Sequence, residues 1–150
     1  MQASPFRHSP TLRARVSRGE NILAVPTTLM NASGKSVAAL VRTFRVPLEH
    51  LLIVHDDKDL AFGVRRLQRN RSSAGHRGVE SVSTALGTTD FWRLRIGIGS
   101  PLKGTETETF VLQSFTDEEE RILKLTLFAS TVQQLTEAIA AKGSVSVQSV

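Results

Sequence analysis

The chain has 150 residues, 40% of them apolar and 22% charged, values of an ordinary globular domain long enough to build a core. Nineteen Lys and Arg against 14 Asp and Glu leave a net charge of +5 and a sequence pI near 10.4, which favours a polyanionic partner such as RNA, DNA or an acidic membrane surface. The absence of cysteine excludes a disulfide scaffold, a thiolate zinc site and a Cys nucleophile; no apolar run approaches the ~20 residues of a membrane span, so a soluble intracellular protein is expected.

Residues 1–19, MQASPFRHSPTLRARVSRG, hold four arginines, three serines and no acid, a composition shared by mitochondrial transit peptides and by ordinary basic starts to a domain. NILAV, residues 21–25, reads as a strand stopped by Pro26. TTLMNASGK after it is turn chemistry, with Asn31, Ser33 and Gly34 breaking the pattern. From Ser36 on, Val37, Leu40, Val41 and Phe44 recur at helical spacing, predicting a helix that ends before Pro47. Residues 51–54 form an all-apolar strand of the kind buried on both faces, with HDDKD, residues 55–59, at its carboxyl end.

Residues 64–67 predict another strand, 68–78 a Gly/Ser/Arg loop and 79–86 a short helix. In residues 91–98, Trp92, Leu94, Ile96 and Ile98 alternate with Arg93, Arg95 and Gly97, a strand with one basic face. Thr116 with Glu119 makes a capping box that opens an amphipathic helix of about six turns, carried by Leu125, Phe128, Val132, Leu135 and Ile139. Residues 143–150 have no strong pattern and are expected to fray.

Strands interleaved with helices predict a single α/β domain over residues 1–150. Ligands of open α/β sheets sit at carboxyl strand ends, which raises HDDKD above an average turn. It reads as solvated turn residues, as a metal site or as half of a catalytic pair. His55, Asp57 and Asp59 would share a face toward a divalent ion, yet DDKD lacks the spacing, Gly and distal Glu of a calcium loop. RIGIG is not a dinucleotide loop, because the third glycine position holds Leu102. No G-x-S-x-G elbow exists. Arg69, Arg71 and Arg77 among small residues, with Arg65, Arg66, Arg93 and Arg95 beside them, form either a solvated loop or a phosphate-binding surface.

Four blocks in this order, PTTLMNASGKSV, LLIVHDDKDLAFG, SSAGHRG and LGTTDFWRLRIGIGSP, resemble the bacterial-type peptidyl-tRNA hydrolase family over about residues 21–135. The resemblance implies a twisted mixed sheet between helices and hydrolysis of the ester joining a peptide to the tRNA ribose, without metal or cofactor. Peptidyl-tRNA is the implied partner; a monomer without membrane association, in the cytoplasm or mitochondria, is expected. Position by position, Asp56 matches the aspartate that orients a histidine base, and Met30 and Asn31 match substrate contacts. Arg95 matches a phosphate clamp, with Arg66 and Arg69 as substitutes for a clamp lysine whose position falls on Gln68. His55 reads as structural. His76 lies in the block usually written G-G-H-N-G, here AGHRG, so a substrate-positioning amide is replaced by Arg77, which would add a phosphate contact.

Family members open with a strand, a G-N-P turn and a T-R-H block bearing the catalytic histidine. This chain begins about where the family's second strand does, as a shortened member lacking the first strand and helix. FRHSP, residues 6–10, makes His8 a candidate base, although too few residues separate it from Met30 for the intervening helix and strand. Residues 12–25 are expected to pair as two strands, and the missing strand to leave open edges and apolar surface inside the sheet. The alternative is a non-catalytic tRNA- or RNA-binding relative that keeps the basic groove.

Overall fold

The computed structural model of the chain describes residues 4–101, 106–124 and 145–148. Among them seven strands form one mixed sheet: β1 (Arg7–Ser9), β2 (Ala14–Arg18), β3 (Ile22–Pro26), β4 (Leu51–Asp57), β5 (Arg65–Arg69), β6 (Trp92–Gly97) and β7 (Val145–Gln148). Their order is β1-β2-β3-β7-β4-β6-β5. β3, β7, β4 and β6 run parallel, while the β1/β2, β2/β3 and β5/β6 pairs are antiparallel.

β4 explains its own apolar run: it lies between two parallel neighbours, and its successive residues 51–54 are all buried, so both faces are covered. Successive side chains alternate across the sheet. Leu51 and Ile53 pack with Val37 and Leu40 of α1 (Ser33–Phe44) and Val82 of α2 (Arg77–Leu86). Leu52 and Val54 join Leu94, Trp92 and Ile96 in a second cluster. Full burial of each such side chain stabilises by about 1.5–3 kcal/mol.

α1 begins at Ser33, three residues before the predicted start, because the Met30–Ala32 segment is a 3-10 turn that runs directly into it. Its first turn is small for a reason. The Gly34 N–H donates to Ser81 Oγ on α2 (3.0 Å), Ser36 Oγ donates to the Arg13 carbonyl (2.7 Å), and a Cβ at Gly34 would fall on the Ser81 carbonyl. The helix ends as predicted before Pro47, through Arg45 at φ 51° and a Val46 N–H bond to Val41 O (3.0 Å).

Residues 12–25 pair as expected, from Ala14 opposite Pro26 to Arg18 opposite Ile22, and Ala14, Val16 and Ala24 are core residues. Three sequence expectations are corrected. Residues 145–148, expected to lack regular structure, form β7, parallel to both β3 and β4. The open edges expected inside the sheet are therefore closed by β7. The loop expected over 68–78 shrinks to residues 70–76, since β5 reaches Arg69 and α2 starts at Arg77.

Two short helices follow, α3 (Thr107–Val111) and α4 (Asp117–Ile122). The capping box is present: the Glu119 N–H donates to Thr116 Oγ1 (3.3 Å) and the Thr116 N–H to Glu119 Oε2 (2.8 Å). The rest of the predicted six-turn helix, residues 125–139, lies outside the described residues. Among the described residues no helix is long and apolar enough to cross a membrane.

Candidate active site

The carboxyl end of β4 meets the amino end of α2, and the meeting is made by hydrogen bonds. Before α2 the chain reverses through Ala74 and Gly75, at φ 49° and 82°, and the His76 N–H closes the turn on Ser73 O (3.0 Å). Glycine carries that conformation without strain. The turn delivers His76 to the N-cap, where its Nδ1 accepts from the Gly78 N–H (3.1 Å) and the Val79 N–H (3.2 Å), donors that the first helical turn otherwise leaves unpaired. Since Nδ1 accepts, the ring proton is on Nε2, which donates to Asp56 Oδ1 (3.1 Å).

Asp56 is 36% exposed and His76 14%, so the pair borders solvent. Burial pushes the Asp56 carboxyl up, but the His76 hydrogen bond and the electrostatic attraction of the His76 and His55 imidazoles together outweigh it and hold the group below the usual carboxylate range. Beneath them His55 is 2% exposed. Its Nδ1 lies 2.7 Å from the Asp56 carbonyl, and its ring meets the His76 ring edge-on with centroids 4.7 Å apart. Burial first, then the charges of His76 and Arg93, push the His55 imidazole down to about 4 despite the Asp56 carbonyl bond, so it is neutral.

Asp57 points to the arginines of β6. Arg95 Nε donates to Asp57 Oδ2 (2.5 Å) and its Nη1 to Gln68 Oε1 (2.9 Å), in a pair only 11% and 6% exposed. Burial raises the Asp57 carboxyl; the Arg95 bond and the Asp59 N–H outweigh it, leaving it lowered. Arg93, 2% exposed, donates through Nη1 to Ser72 O (2.9 Å) and so tethers the loop leading to His76. Arg95, expected to clamp a phosphate, is here the partly buried ion-pair partner of Asp57.

Met30 and Asn31 occupy the 3-10 turn before α1, which packs against α2. A Cβ at Gly78 would lie 2.5 Å from Met30 Sδ and 2.9 Å from His76 Cε1, so Met30 and His76 share one wall and glycine is what lets them close it. Asn31 is exposed beside them. Arg77 is exposed and donates to Glu108 Oε1 on α3 (2.9 Å). Arg69 makes a two-pronged bond to Asp90 (2.7 and 3.1 Å), and Arg66 is exposed on β5.

His8 does not join this group. It is exposed on β1, the far edge strand, four strands from β4 and hence roughly 19 Å from Asp56 at ordinary strand spacing. The cation reading of HDDKD also finds no support: His55 is committed to a carbonyl, Asp57 to Arg95 and Asp59 to Lys58 (2.7 Å). Sequence reasoning named Asp57 only as a possible cation ligand and Arg93 only as part of a basic face, and it passed over Gly78. The register of β4 against β6 sets His55 opposite Arg95 and Asp57 opposite Gly97, so the Arg95 side chain reaches Asp57 two residues along the strand.

Chemically the corner offers an ionised carboxylate with one oxygen held by a histidine, an exposed amide on the 3-10 turn that packs against α2, and exposed arginines at Arg66 and Arg77. Such a group orients and polarises water or an ester. The chain matches the family model described as peptidyl-tRNA hydrolase over residues 2–149. It is 44% identical over 121 residues to the peptidyl-tRNA hydrolase of Aquifex aeolicus, covering 79% of this chain and 63% of that protein. To that of Methylobacillus flagellatus it is 46% identical over 101 residues, covering 67% and 53%. The chain therefore spans less than two thirds of the length of these relatives. A crystal structure of peptidyl-tRNA hydrolase from Acinetobacter baumannii superposes with a TM-score of 0.79 at 28% identity, covering 92% of this chain and 74% of that one.

Proposed function

The chain belongs to the peptidyl-tRNA hydrolase family, and on that premise we propose that it acts on peptidyl-tRNA, hydrolysing the ester between the peptide and the 3′ ribose. The Asp56–His76 hydrogen bond beside the Met30–Asn31 turn carries this reading. Water attacks the ester carbonyl carbon and gives a proton to Asp56, the bond to the ribose oxygen breaks as that oxygen takes up this proton, and the peptide acid leaves as a carboxylate, its proton going to solvent. Asp56, ionised at neutral pH, receives a hydrogen bond from the attacking water through the oxygen that His76 does not hold. Asn31 offers its amide N–H to the carbonyl as negative charge develops there. Met30 packs against the peptide. Arg66, Arg69 and Arg77 supply positive charge to the tRNA backbone. The protein acts without metal or cofactor, as a monomer, in a compartment that holds tRNA, the cytoplasm or the mitochondrial matrix.

A second reading, tRNA binding without turnover, is favoured by one observation. Both ring nitrogens of His76 are occupied, one by backbone donors and one by Asp56, and His8 is at the opposite edge of the sheet. Single-turnover release of an N-blocked aminoacyl group from tRNA separates the two. Hydrolysis predicts release that Asp56→Asn slows by about a hundredfold while tRNA binding holds. Binding with no release supports the second reading, and neither binding nor release sinks both. Arg66→Ala is expected to weaken tRNA binding and lower its salt slope by about 1.

A further inference from the structure

We infer that His55 is a positioning residue for the Asp56–His76 pair: its buried ring holds His76 in the one orientation and tautomer that donate to Asp56. The inference starts from an anomaly. Residues 51–54 show what this part of β4 uses for filling, which is Leu, Leu, Ile and Val. His55 follows in the same buried run, with Nε2 buried and without a hydrogen-bond partner among the described residues. An unpaired buried nitrogen is costly, and an apolar residue would avoid that cost.

The two contacts of His55 account for its presence. Its Nδ1–H, donated to the Asp56 carbonyl at 2.7 Å, fixes the plane of its ring and pins the peptide that carries Asp56. The ring then stands edge-on to His76 at 4.7 Å and 64°. His76 needs such a wall. Turning its ring over would carry Nε2 away from Asp56 and Nδ1 away from the Gly78 and Val79 donors at once. Met30 and Gly78 close on the same ring near Cε1, where only a glycine fits. Arg95 sits opposite His55 in the strand register, and its guanidinium is taken up by Asp57 and Gln68. A neutral His55 therefore supports His76 without competing for Asp56.

The bearing of this on catalysis rests on the peptidyl-tRNA reading; the geometry does not. Nitrogen-15 NMR of the imidazoles in the full chain tests it directly. The unaltered protein should show His76 with Nε2 protonated and Nδ1 as acceptor. His55→Leu, which fills the space with no ring edge and no donor, should shift the His76 nitrogens toward tautomer-averaged values and raise the pH at which Asp56 titrates. His55→Phe restores a flat edge and should restore the single tautomer. Folded His55→Leu with unchanged His76 nitrogens and Asp56 titration overturns the inference, as does His55→Phe that mixes tautomers equally. If His55→Leu does not fold, His55→Met is judged by the same two signals. Where peptidyl-tRNA is hydrolysed, His55→Leu should lower kcat about tenfold with KM unchanged and His55→Phe should not. A protein that releases nothing removes the hydrolytic reading, while the nitrogen signals still decide this one.

Discussion

Two corners of the sheet carry a histidine beside an arginine, FRHSP on β1 and AGHRG before α2, and they have opposite environments. His8 is exposed on an edge strand, with solvent on one side and β2 on the other. His76 has both nitrogens committed, a buried ring against it and a carboxylate at 3.1 Å. The residue type is the same in both places. What differs is the set of partners that removes its freedom: a side chain held by three directed contacts keeps one tautomer and one rotamer, and a solvated one keeps neither.

The difference is broken most severely at Gly34. A methyl group there meets the Ser81 backbone, which has no flexible end to yield, so Gly34→Ala should push α1 from α2 and cost about 3 kcal/mol in denaturant unfolding. The His76 corner should lose its order with it, while the β1–β2 pairing persists.

Acid tests the same corner. The folded-state pKa of His55, about 4, is below its free value of 6.5, so between those values the unfolded chain binds the extra proton and stability falls as pH falls. The loss is fully developed near pH 4 and amounts to about 3 kcal/mol. Asp56 and Asp57, both lowered, add their losses below the ordinary carboxylate range. Unfolding free energy measured from pH 7 to 3 should show the first decline, and His55→Phe should flatten it between pH 6.5 and 4 only.

A smaller effect is expected from His76→Ala. It leaves two N–H groups of α2 without their cap, at a cost of about 1–2 kcal/mol, and releases Asp56 to titrate at higher pH. Smallest of all is His8→Ala, expected to stay within about 0.5 kcal/mol of the parent and to leave the proposed hydrolysis as it was. A large loss of turnover on His8→Ala would place the base on β1 and undo the contrast.

Much of this was legible locally. The Thr116–Glu119 box, the stripe of α1 and the all-apolar start of β4 are set by neighbours within four residues, and each appears where the pattern puts it. HDDKD stood out because charges at a carboxyl strand end are uncommon without a use. The start of α2 was misplaced because histidine is not among the usual capping residues, so AGHRG read as loop. β7 was missed for a related reason. VSVQ is short and half polar, and it becomes a strand only between two others that offer unpaired edges.

Sequence alone therefore determined the elements that close on themselves, and with them the family blocks that include Asp56. Tertiary structure decided which histidine meets Asp56, which arginine is spent on Asp57, and which segment lies between β3 and β4. Those outcomes depend on pairings between residues 20 to more than 100 positions apart, from His76 with Asp56 to Ala24 with Val147. A hydrogen bond or a strand register over such distances leaves no period in the chain, because it is chosen by the packing of every element between.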